Sequence, residues 1–220
     1  MFARLILPMS LLLALAGPTS ACPGQTGKVI FSEDFADDSG GWADIDPHMQ
    51  FSDGGLKITA GPKSDPKSIV SDGSLNSTFY AKDGDYCAVF AFPSSPPEAD
   101  NPDYVSLTVL ATDYKNRYQI FVSTNGDVAI TRLEDNKSQT LLPWLKVSAV
   151  KTDPGAENTL RVVAKNQKLT FSVNGEQIKV LRVPVPDDAK RFGFWTGTLN
   201  GPPTDPRVYV VKSYNLTEAP

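Results

Sequence analysis

The segment Glu157–Val183, ENTLRVVAKNQKLTFSVNGEQIKVLRV, constrains the fold more than any other part of the chain. Apolar and polar residues alternate in it, as they do in β-strands that bury one face. Asn166-Gln167 separates a first strand from a second. Asn174-Gly175, which accommodates the positive φ angles of a two-residue type I′ turn, leads to a third strand, Gln177–Val183. The segment predicts a meander with one buried face and one face toward water or a ligand.

Short strand-like segments separated by turn residues cover the rest of the chain, with a second hairpin signal at Asn125-Gly126. Asp85–Phe92 is apolar on both faces, which indicates a central strand. Trp42 is expected to pack on the core, and the proline-rich stretch Pro93–Asp103 is expected to be a surface loop. The other predicted strands are Lys28–Phe35, Phe51–Ile58, Ser77–Ala81, Tyr104–Ala111, Asn116–Ser123, Asp127–Leu133, Arg191–Gly197 and Arg207–Leu216.

No amphipathic helix of three or more turns is evident between these segments. About a dozen short strands with frequent turns predict an all-β fold, an antiparallel two-sheet β-sandwich of the jelly-roll type. A chain of this length suits one such domain.

The N-terminus has the features of a signal peptide: Arg4, the apolar run Leu5–Ala16 and small residues ending at Ala21. We therefore expect residues 1–21 to be removed and residues 22–220 to form a single exported domain, periplasmic or extracellular. The apolar run is shorter than the roughly 20 residues that span a bilayer, so no transmembrane segment is expected. The formal net charge of the chain is −4, which argues against nucleic acid as a partner.

Cys22 and Cys87 are the two cysteines of the chain. One interpretation is a disulfide that ties the N-terminal arm to a strand in an oxidising compartment. The other is a lipid anchor on Cys22, but a lipidation site normally carries an aliphatic residue where Thr19 stands. A zinc site of cysteine and histidine is excluded, because His48 is the single histidine and neither cysteine has a second cysteine nearby.

The order of several segments resembles the concanavalin A-like jelly-roll domains of exported bacterial proteins grouped with the 3-keto-disaccharide hydrolase domain. The most specific of them is NTLRVVAKNQKLTFSVNG; the others are FSEDFADDSGGW, FSDGGLKIT, VSLTVLATDYKNRYQIFVSTNGDVAITRL, RFGFWTG and VYVVKSYNLTE. The resemblance implies export and two curved sheets, of which the concave one offers a groove for a glycan. It does not transfer catalysis, because fold and chemistry separate freely.

The carboxylates do not predict a glycosidase site, which usually needs two acids on one cleft. The E-x-D-x-x-E strand motif of the family 16 glucanases is absent. Glu33-Asp34 and Glu134-Asp135 are adjacent pairs, so their side chains point to opposite faces of a strand. His48 has no G-x-S-x-G partner motif. We assign no catalytic residue and expect no cofactor, with Ca²⁺ at the acidic turn Glu33–Asp38 as the alternative.

Binding residues are better supported, because Tyr114, Arg117 and Tyr118 lie close together at a strand junction. Trp144 and Trp195 add two large aromatic rings. Sugars are held by aromatic faces and by planar hydrogen-bonding groups, although aromatic residues also form the cores of β-proteins. These five residues are the predicted ligand-binding set.

Three functions remain open at this stage. The first is non-catalytic binding of a glycan or another cell-envelope component. The second is hydrolysis of a glycoside or 3-keto-glycoside, and the third is a structural or interaction module of the envelope. In each case the outward residues of the meander carry no paired acids and no aromatic platform, so Glu157–Val183 is interpreted as scaffold.

Overall fold

The computed structural model describes residues 22–42, 48–52, 54–62, 71–186 and 188–220. The predicted signal peptide lies outside these residues. Within them no residue is helical, and no helix is long and apolar enough to cross a membrane. The described strands are β1 Val29–Glu33, β2 Met49–Ser52, β3 Gly55–Ala60, β4 Ser71–Leu75, β5 Gly84–Ala91, β6 Asp103–Asp113, β7 Asn116–Ser123, β8 Asp127–Glu134, β9 Lys137–Lys146, β10 Glu157–Lys165, β11 Lys168–Val173, β12 Glu176–Arg182, β13 Arg191–Thr198 and β14 Arg207–Thr217.

The strands form two antiparallel sheets. One has eight strands in the order β12-β11-β10-β5-β14-β3-β2, with β1 also paired to β14. The other has six strands in the order β4-β13-β6-β7-β8-β9. The core lies between the sheets, because alternate residues of the inner strands, such as β6, β7 and β10, point inward and are buried. The fold class predicted from the sequence, a two-sheet β-sandwich, is confirmed.

The meander is confirmed as β10, β11 and β12. Residues of β10 and β11 alternate between buried and partly exposed, and both turns have two residues with positive φ, at Asn166-Gln167 and Asn174-Gly175. Asn125-Gly126 also lies in a hairpin, but only Gly126 has a positive φ there. Residues 124–126 therefore form a three-residue connection, in which the last residue is left-handed.

Other predictions at the level of strands also hold. β5 lies between β10 and β14 in the middle of the eight-stranded sheet, as its two apolar faces predict. Trp42 is buried against a cluster of aromatic rings that includes Phe35, Phe194 and Tyr214.

The disulfide interpretation of the cysteines is confirmed: Cys22 is bonded to Cys87 on β5, with their Cα atoms 6.0 Å apart. The N-terminal arm is further held by Arg161. Its guanidinium donates to the carbonyl oxygen of Gly24 (3.1 Å) and pairs with the buried Asp85 (2.6 Å).

Two strand predictions are wrong. Ser77–Ala81 forms no strand, because the Asn76 amide accepts from the backbone N–H groups of Thr78 (3.0 Å) and Phe79 (2.8 Å) and so turns the chain. The segment Phe51–Ile58 is not one strand but parts of the hairpin β2-β3. In addition, β4 and β9 were not predicted at all.

Candidate functional site

The six-stranded sheet has an outer face on which aromatic and polar side chains collect. In β6, Val105, Leu107 and Val109 point into the core, so the residues between them point outward. The strand register extends this assignment to the neighbouring strands. We define the six-strand face by its outward residues Tyr104, Ser106, Thr108, Arg117, Gln119, Phe121, Ala129, Thr131, Trp144 and Trp195.

One half of the six-strand face is built around a stacked cation. The guanidinium carbon of Arg117 lies 4.3 Å from the centroid of the Trp195 ring, within the range of a cation–π interaction. Arg117 Nη1 also donates to the carbonyl oxygen of Tyr114, and the Tyr114 and Trp195 rings meet edge to face at 5.6 Å. The structure therefore brings together three of the five predicted binding residues.

Gly73 on β4 allows Trp195 to lie close to the sheet. The two residues are direct partners in the register of β4 and β13, and a Cβ at Gly73 would lie 2.4 Å from an atom of the indole ring. Only glycine leaves that space, so the edge strand β4 provides a platform for Trp195.

A buried polar row lies beneath this aromatic layer. Ser106 and Thr108 are fully buried and Gln119 is 3% exposed. Gln119 Nε2 donates to Ser106 Oγ (3.3 Å) and to Thr108 Oγ1 (3.2 Å). Hydrogen bonding within the row offsets the cost of burying these groups, and the row fixes the register of β6 and β7 below Arg117 and Phe121.

The other half of the face contains a pocket of about 430 Å³. Phe121 and Tyr104 contribute aromatic rings, which meet at 5.4 Å, and Trp144 and Leu199 line it with side chains that are 44% and 36% exposed. Trp144 contacts Phe121 edge to face at 6.2 Å. Thr131, Thr140 and Thr198 also line the pocket, and the Thr198 hydroxyl donates to the carbonyl oxygen of Gly201 (2.6 Å).

The two halves are adjacent. Ser106 on β6 is the direct neighbour of Trp195 on one side and of Phe121 on the other. Since neighbouring strands lie about 4.8 Å apart, the backbones of Trp195 and Phe121 are separated by about 10 Å. A ligand that lies across the strands can therefore contact both halves.

The structure separates Tyr118 from the other predicted binding residues. Its neighbour in sequence, Arg117, points outward, so Tyr118 points toward the core. The ring is 2% exposed, and the hydroxyl donates to the carbonyl oxygen of Pro184 (2.8 Å). Tyr118 does not belong to the six-strand face, whereas Trp144 does, through its contact with Phe121.

The electrostatics of the six-strand face are set by Arg117. Desolvation by burial lowers the pKa of its guanidinium from the ordinary value, but arginine keeps its proton in proteins. Of the ten outward residues that define the six-strand face, Arg117 is the one with a formal charge. The face therefore carries positive charge although the chain as a whole is negative.

The acidic turn predicted as a Ca²⁺ alternative uses its carboxylates locally. Glu33 Oε1 accepts from Phe35 N (2.8 Å), Asp34 Oδ1 from Ala36 N (3.1 Å) and Asp37 Oδ1 from Ser39 N (2.8 Å). Among the residues described, no group of three or more His, Cys, Asp or Glu side chains is arranged to hold a metal ion. Calcium binding at this turn stays a prediction.

Phe121 and Tyr104 were missed as members of the candidate site. The signal was present in the sequence, because Phe121 is four residues from Arg117 in one strand and so shares its face. Tyr104 required the register between β6 and β7, which places it opposite Ser123. The pocket itself also depends on Leu199, which lies outside any strand.

No protein-family model matches the chain, and no curated protein matches its sequence. Solved structures share its fold. The carbohydrate-binding module CBM66 from Bacillus subtilis matches with a TM-score of 0.59 and 15% identity, over 82% of this chain and 96% of that one. The catalytic domain of an endo-1,3-β-glucanase (laminarinase) from Thermotoga petrophila matches with a TM-score of 0.62 and 13% identity, over 88% and 98%.

A β-glucanase from Bacillus licheniformis is similar to the same extent, with a TM-score of 0.60 and 11% identity over 88% of this chain and 100% of that one. At such identities the likeness shows the fold alone. The chain has a jelly-roll β-sandwich fold, as the sequence predicts. Membership of the 3-keto-disaccharide hydrolase group stays a prediction.

Proposed function

We propose that the protein binds a glycan on its six-strand face and does not cleave it. The observation that carries this proposal is the pocket between Trp144, Phe121 and Leu199. Sugars present apolar C–H surfaces together with hydroxyl groups. A concave site with aromatic rings and a few convergent polar groups suits such a ligand, and here Thr131 and Thr140 line the pocket beside the rings.

The structural neighbours support the proposal. One is described as a carbohydrate-binding module and two as β-glucanases. Each of these proteins binds or acts on a carbohydrate according to its description. This chain has their fold, and its pocket lies on the outside of one of the two sheets, where a long polymer has access.

The distribution of carboxylates supports a non-catalytic role. Cleavage of a glycosidic bond by the common mechanisms needs two carboxyl groups about 5 to 10 Å apart at the bound sugar. Among the described residues that line the pocket there is no aspartate or glutamate. The nearby β8 begins with Asp127, but this carboxylate pairs with Lys146 (3.2 Å).

Isothermal titration of the purified protein with laminarin and mixed-linkage β-glucan tests the proposal. We expect at least one of them to bind, and Trp144→Ala to weaken that binding by at least about tenfold, since a large apolar side chain buried by a ligand contributes about 1.5–3 kcal/mol. Leu145→Ala is the matched control, because Leu145 is on the same strand and is also exposed.

The proposal fails if no saccharide binds at millimolar concentration to folded protein, or if Trp144→Ala binds as tightly as the wild type. Val208→Ala is a second control. Val208 lines a depression of about 400 Å³ on the outer face of the eight-stranded sheet, and this variant tests whether the glycan binds there instead. Release of reducing ends from these glycans, or from a 3-keto-disaccharide, would contradict the non-catalytic part and favour a hydrolase.

We also infer that the protein works outside the cytoplasm. The Cys22–Cys87 disulfide supports this, since such bonds persist in oxidising compartments and are rare in the cytosol. The signal-peptide features of residues 1–21 point the same way. Fractionation of cells, with the redox state of the two cysteines measured by thiol labelling, tests the inference.

A further inference from the structure

Arg117 differs from three other arginines of the chain. Arg132, Arg161 and Arg207 each pair with a carboxylate, on Glu134, Asp85 and Asp103 respectively. Arg117 forms no ion pair with any described residue. The one hydrogen bond that it makes within the described part of the chain goes to a neutral carbonyl oxygen, that of Tyr114.

The guanidinium of Arg117 is positioned but incompletely satisfied. Its plane is held by Trp195, and one of its nitrogens is held by Tyr114. Its Nε is buried and has no hydrogen-bond partner among the described residues. Since an unsatisfied buried donor costs free energy, and more when the donor is charged, an additional acceptor near this group would stabilise the site.

Among the described carboxylates, none forms an ion pair with Arg117. Glu134 and Asp188 line a neighbouring pocket together with it, but Glu134 pairs with Arg132 (2.9 Å). Asp113 acts on Arg117 electrostatically. Asp113 is turned to the junction, where it accepts from Lys115 N (2.7 Å) and Asn116 Nδ2 (3.0 Å). Arg191 adds a second positive charge at the start of β13, where it precedes the core residue Phe192.

We propose that Arg117 binds the negatively charged group of an acidic glycan, a carboxylate or a sulfate, while Phe121 and Trp144 contact a neighbouring sugar. The proposal rests on the glycan binding proposed above and adds the class of glycan. A guanidinium matches carboxylate and sulfate groups through paired hydrogen bonds. Stacking on Trp195 orients it beforehand, which lowers the entropy lost on binding.

Two features favour specific binding of an acidic sugar over non-specific binding of any polyanion. The net charge of −4 repels polyanions as a whole, so an anion binds only where local contacts repay that repulsion. The backbone of Trp195, on whose ring Arg117 stacks, also lies about two strand spacings, roughly 10 Å, from that of Phe121 at the edge of the pocket. A short oligosaccharide across the strands would place a charged sugar on one half and an uncharged surface on the other.

The test compares ligands that differ only in charge. Polygalacturonate oligomers are compared with their methyl esters, and dextran sulfate with dextran, by isothermal titration at low and moderate salt. We expect one acidic member to bind at least about tenfold more tightly than its neutral counterpart, as charge-assisted hydrogen bonds allow. The first pair reports on carboxylates and the second on sulfates. Added salt should reduce the difference.

Arg117→Gln should remove most of this preference, and Arg117→Lys should restore it only in part, because lysine keeps the charge but not the planar fork. Arg182→Gln is the matched control: it makes the same charge change at an exposed position on β12 of the other sheet. Thermal unfolding of each variant checks that it is folded. If Arg117→Gln is not folded, the acidic preference of the wild type is compared with that of Arg117→Lys instead.

The outcomes separate this inference from the proposed function. If neutral glycans bind as tightly as acidic ones and binding needs Trp144, the glycan site stands and the acidic preference is overturned. Acidic binding that Arg117→Gln leaves unchanged also overturns the role of Arg117. If none of these saccharides binds but a neutral glycan of the first test does, only the acidic preference is overturned, and if neither set binds, both proposals fail. Acidic preference that depends on Arg117 and not on Arg182 supports the inference.

Discussion

Asp103 is a buried charge that holds together parts of the chain distant in sequence. Its carboxylate is fully buried and accepts from Arg207 Nε (2.9 Å) and from the Tyr209 hydroxyl (2.8 Å). Arg207 in turn donates to Ser95 Oγ (2.6 Å) and the Pro96 carbonyl oxygen (2.9 Å). The proline-rich loop that begins at residue 93 is thus fastened to β14 at the end of the sandwich.

Asp103→Asn should therefore be strongly destabilising. Removing one partner of a buried ion pair leaves the other charge uncompensated, which typically costs about 3–5 kcal/mol. Urea unfolding followed by tryptophan fluorescence measures the loss. Asp100→Asn, at an exposed position of the adjoining loop, should stay within about 0.5 kcal/mol of the wild type. Equal stability of the two variants would contradict this account of Asp103.

Glu33 predicts a pH dependence of stability with a definite sign. Desolvation by burial is the largest cause that raises its pKa, and the charge of Asp34 adds to it. The folded state therefore binds a proton more tightly than the unfolded state. The stability contributed by protonated Glu33 is fully present below the ordinary glutamate pKa of about 4.3 and is lost as pH rises through the folded-state pKa.

Glu33→Gln should consequently become more stable relative to the wild type as pH rises from 4 toward neutrality. The melting temperatures of both proteins, measured across that range, give the comparison. Glu98→Gln is an informative control, because the backbone N–H of Thr204 lowers the pKa of Glu98 and its stabilising effect is lost as pH falls. If the stability of Glu33→Gln relative to the wild type falls as pH rises, the assignment is refuted.

For single residues, the sequence predicted which residue types lie near the candidate site better than it predicted on which face of the sheet each side chain lies. Arg117 and Tyr118 were grouped because they are adjacent, but the period of two that defines a strand places them on opposite faces. The cation–π pair with Trp195 could not be foreseen, since it depends on the order β13-β6-β7 and on the absence of a side chain at Gly73.

Among the elements, the meander is held by two asparagines of the segment that most resembles known jelly-roll domains. Asn158 is buried, and its amide exchanges hydrogen bonds with the backbone N–H and carbonyl of Lys151, both at 2.9 Å. Asn174 donates to Asn158 Oδ1 (2.8 Å) and to the Ala149 carbonyl oxygen (2.7 Å), and accepts from Thr159 N (2.8 Å). The two amides tie the loop before β10 to the β11-β12 turn.

Replacing either amide should cost stability, because its partly buried backbone partners lose their hydrogen bonds. We expect Asn158→Ala and Asn174→Ala each to lose about 2–4 kcal/mol, and the double variant to lose less than the sum, since the two side chains contact each other. Chemical denaturation of the four proteins gives the double-mutant cycle. Asn125→Ala, in the other Asn-Gly hairpin and exposed, is the matched control and should be nearly neutral.

The two strands missed from the sequence were missed for physical reasons. β4, SDGSL, is polar and contains a glycine, so it lacks the apolar alternation of a strand. β9 is an edge strand that is exposed or partly exposed along its whole length and contains Pro143. Edge strands tolerate proline and carry lysines that discourage further pairing, so their sequences resemble loops. The alternation of β10 and β11 made them predictable because one face is buried.

In the molecule as a whole, the two sheets contain different structural features. The eight-stranded sheet contains the meander and the disulfide to the N-terminal arm. The six-stranded sheet carries the pocket and the Arg117–Trp195 pair. The sequence predicted that Glu157–Val183 is scaffold, and the structure places this segment on the sheet opposite the six-strand face. Which sheet would carry the candidate site depended on pairings between distant strands, which alternation alone does not reveal.

This division predicts where a bound glycan will slow amide hydrogen exchange. β9 and β12 are edge strands, one in each sheet, and edge strands open locally at low free energy because they have one paired neighbour. A glycan held by Trp144 and Phe121 covers β9 and the connection after β13 near Leu199. Exchange in these segments should therefore slow on binding, whereas exchange in β12 should not change.

Mass-spectrometric exchange of the wild type with and without the glycan that binds it makes this comparison, and Trp144→Ala with the same glycan should show no protection of β9. β12 serves as the control because it opens by the same kind of edge fluctuation. A general stabilisation of the fold would slow exchange in both strands, whereas direct contact with the glycan would slow it in β9 alone. Protection of β12 and not of β9 would move the binding surface to the eight-stranded sheet, and with it the role assigned to the meander.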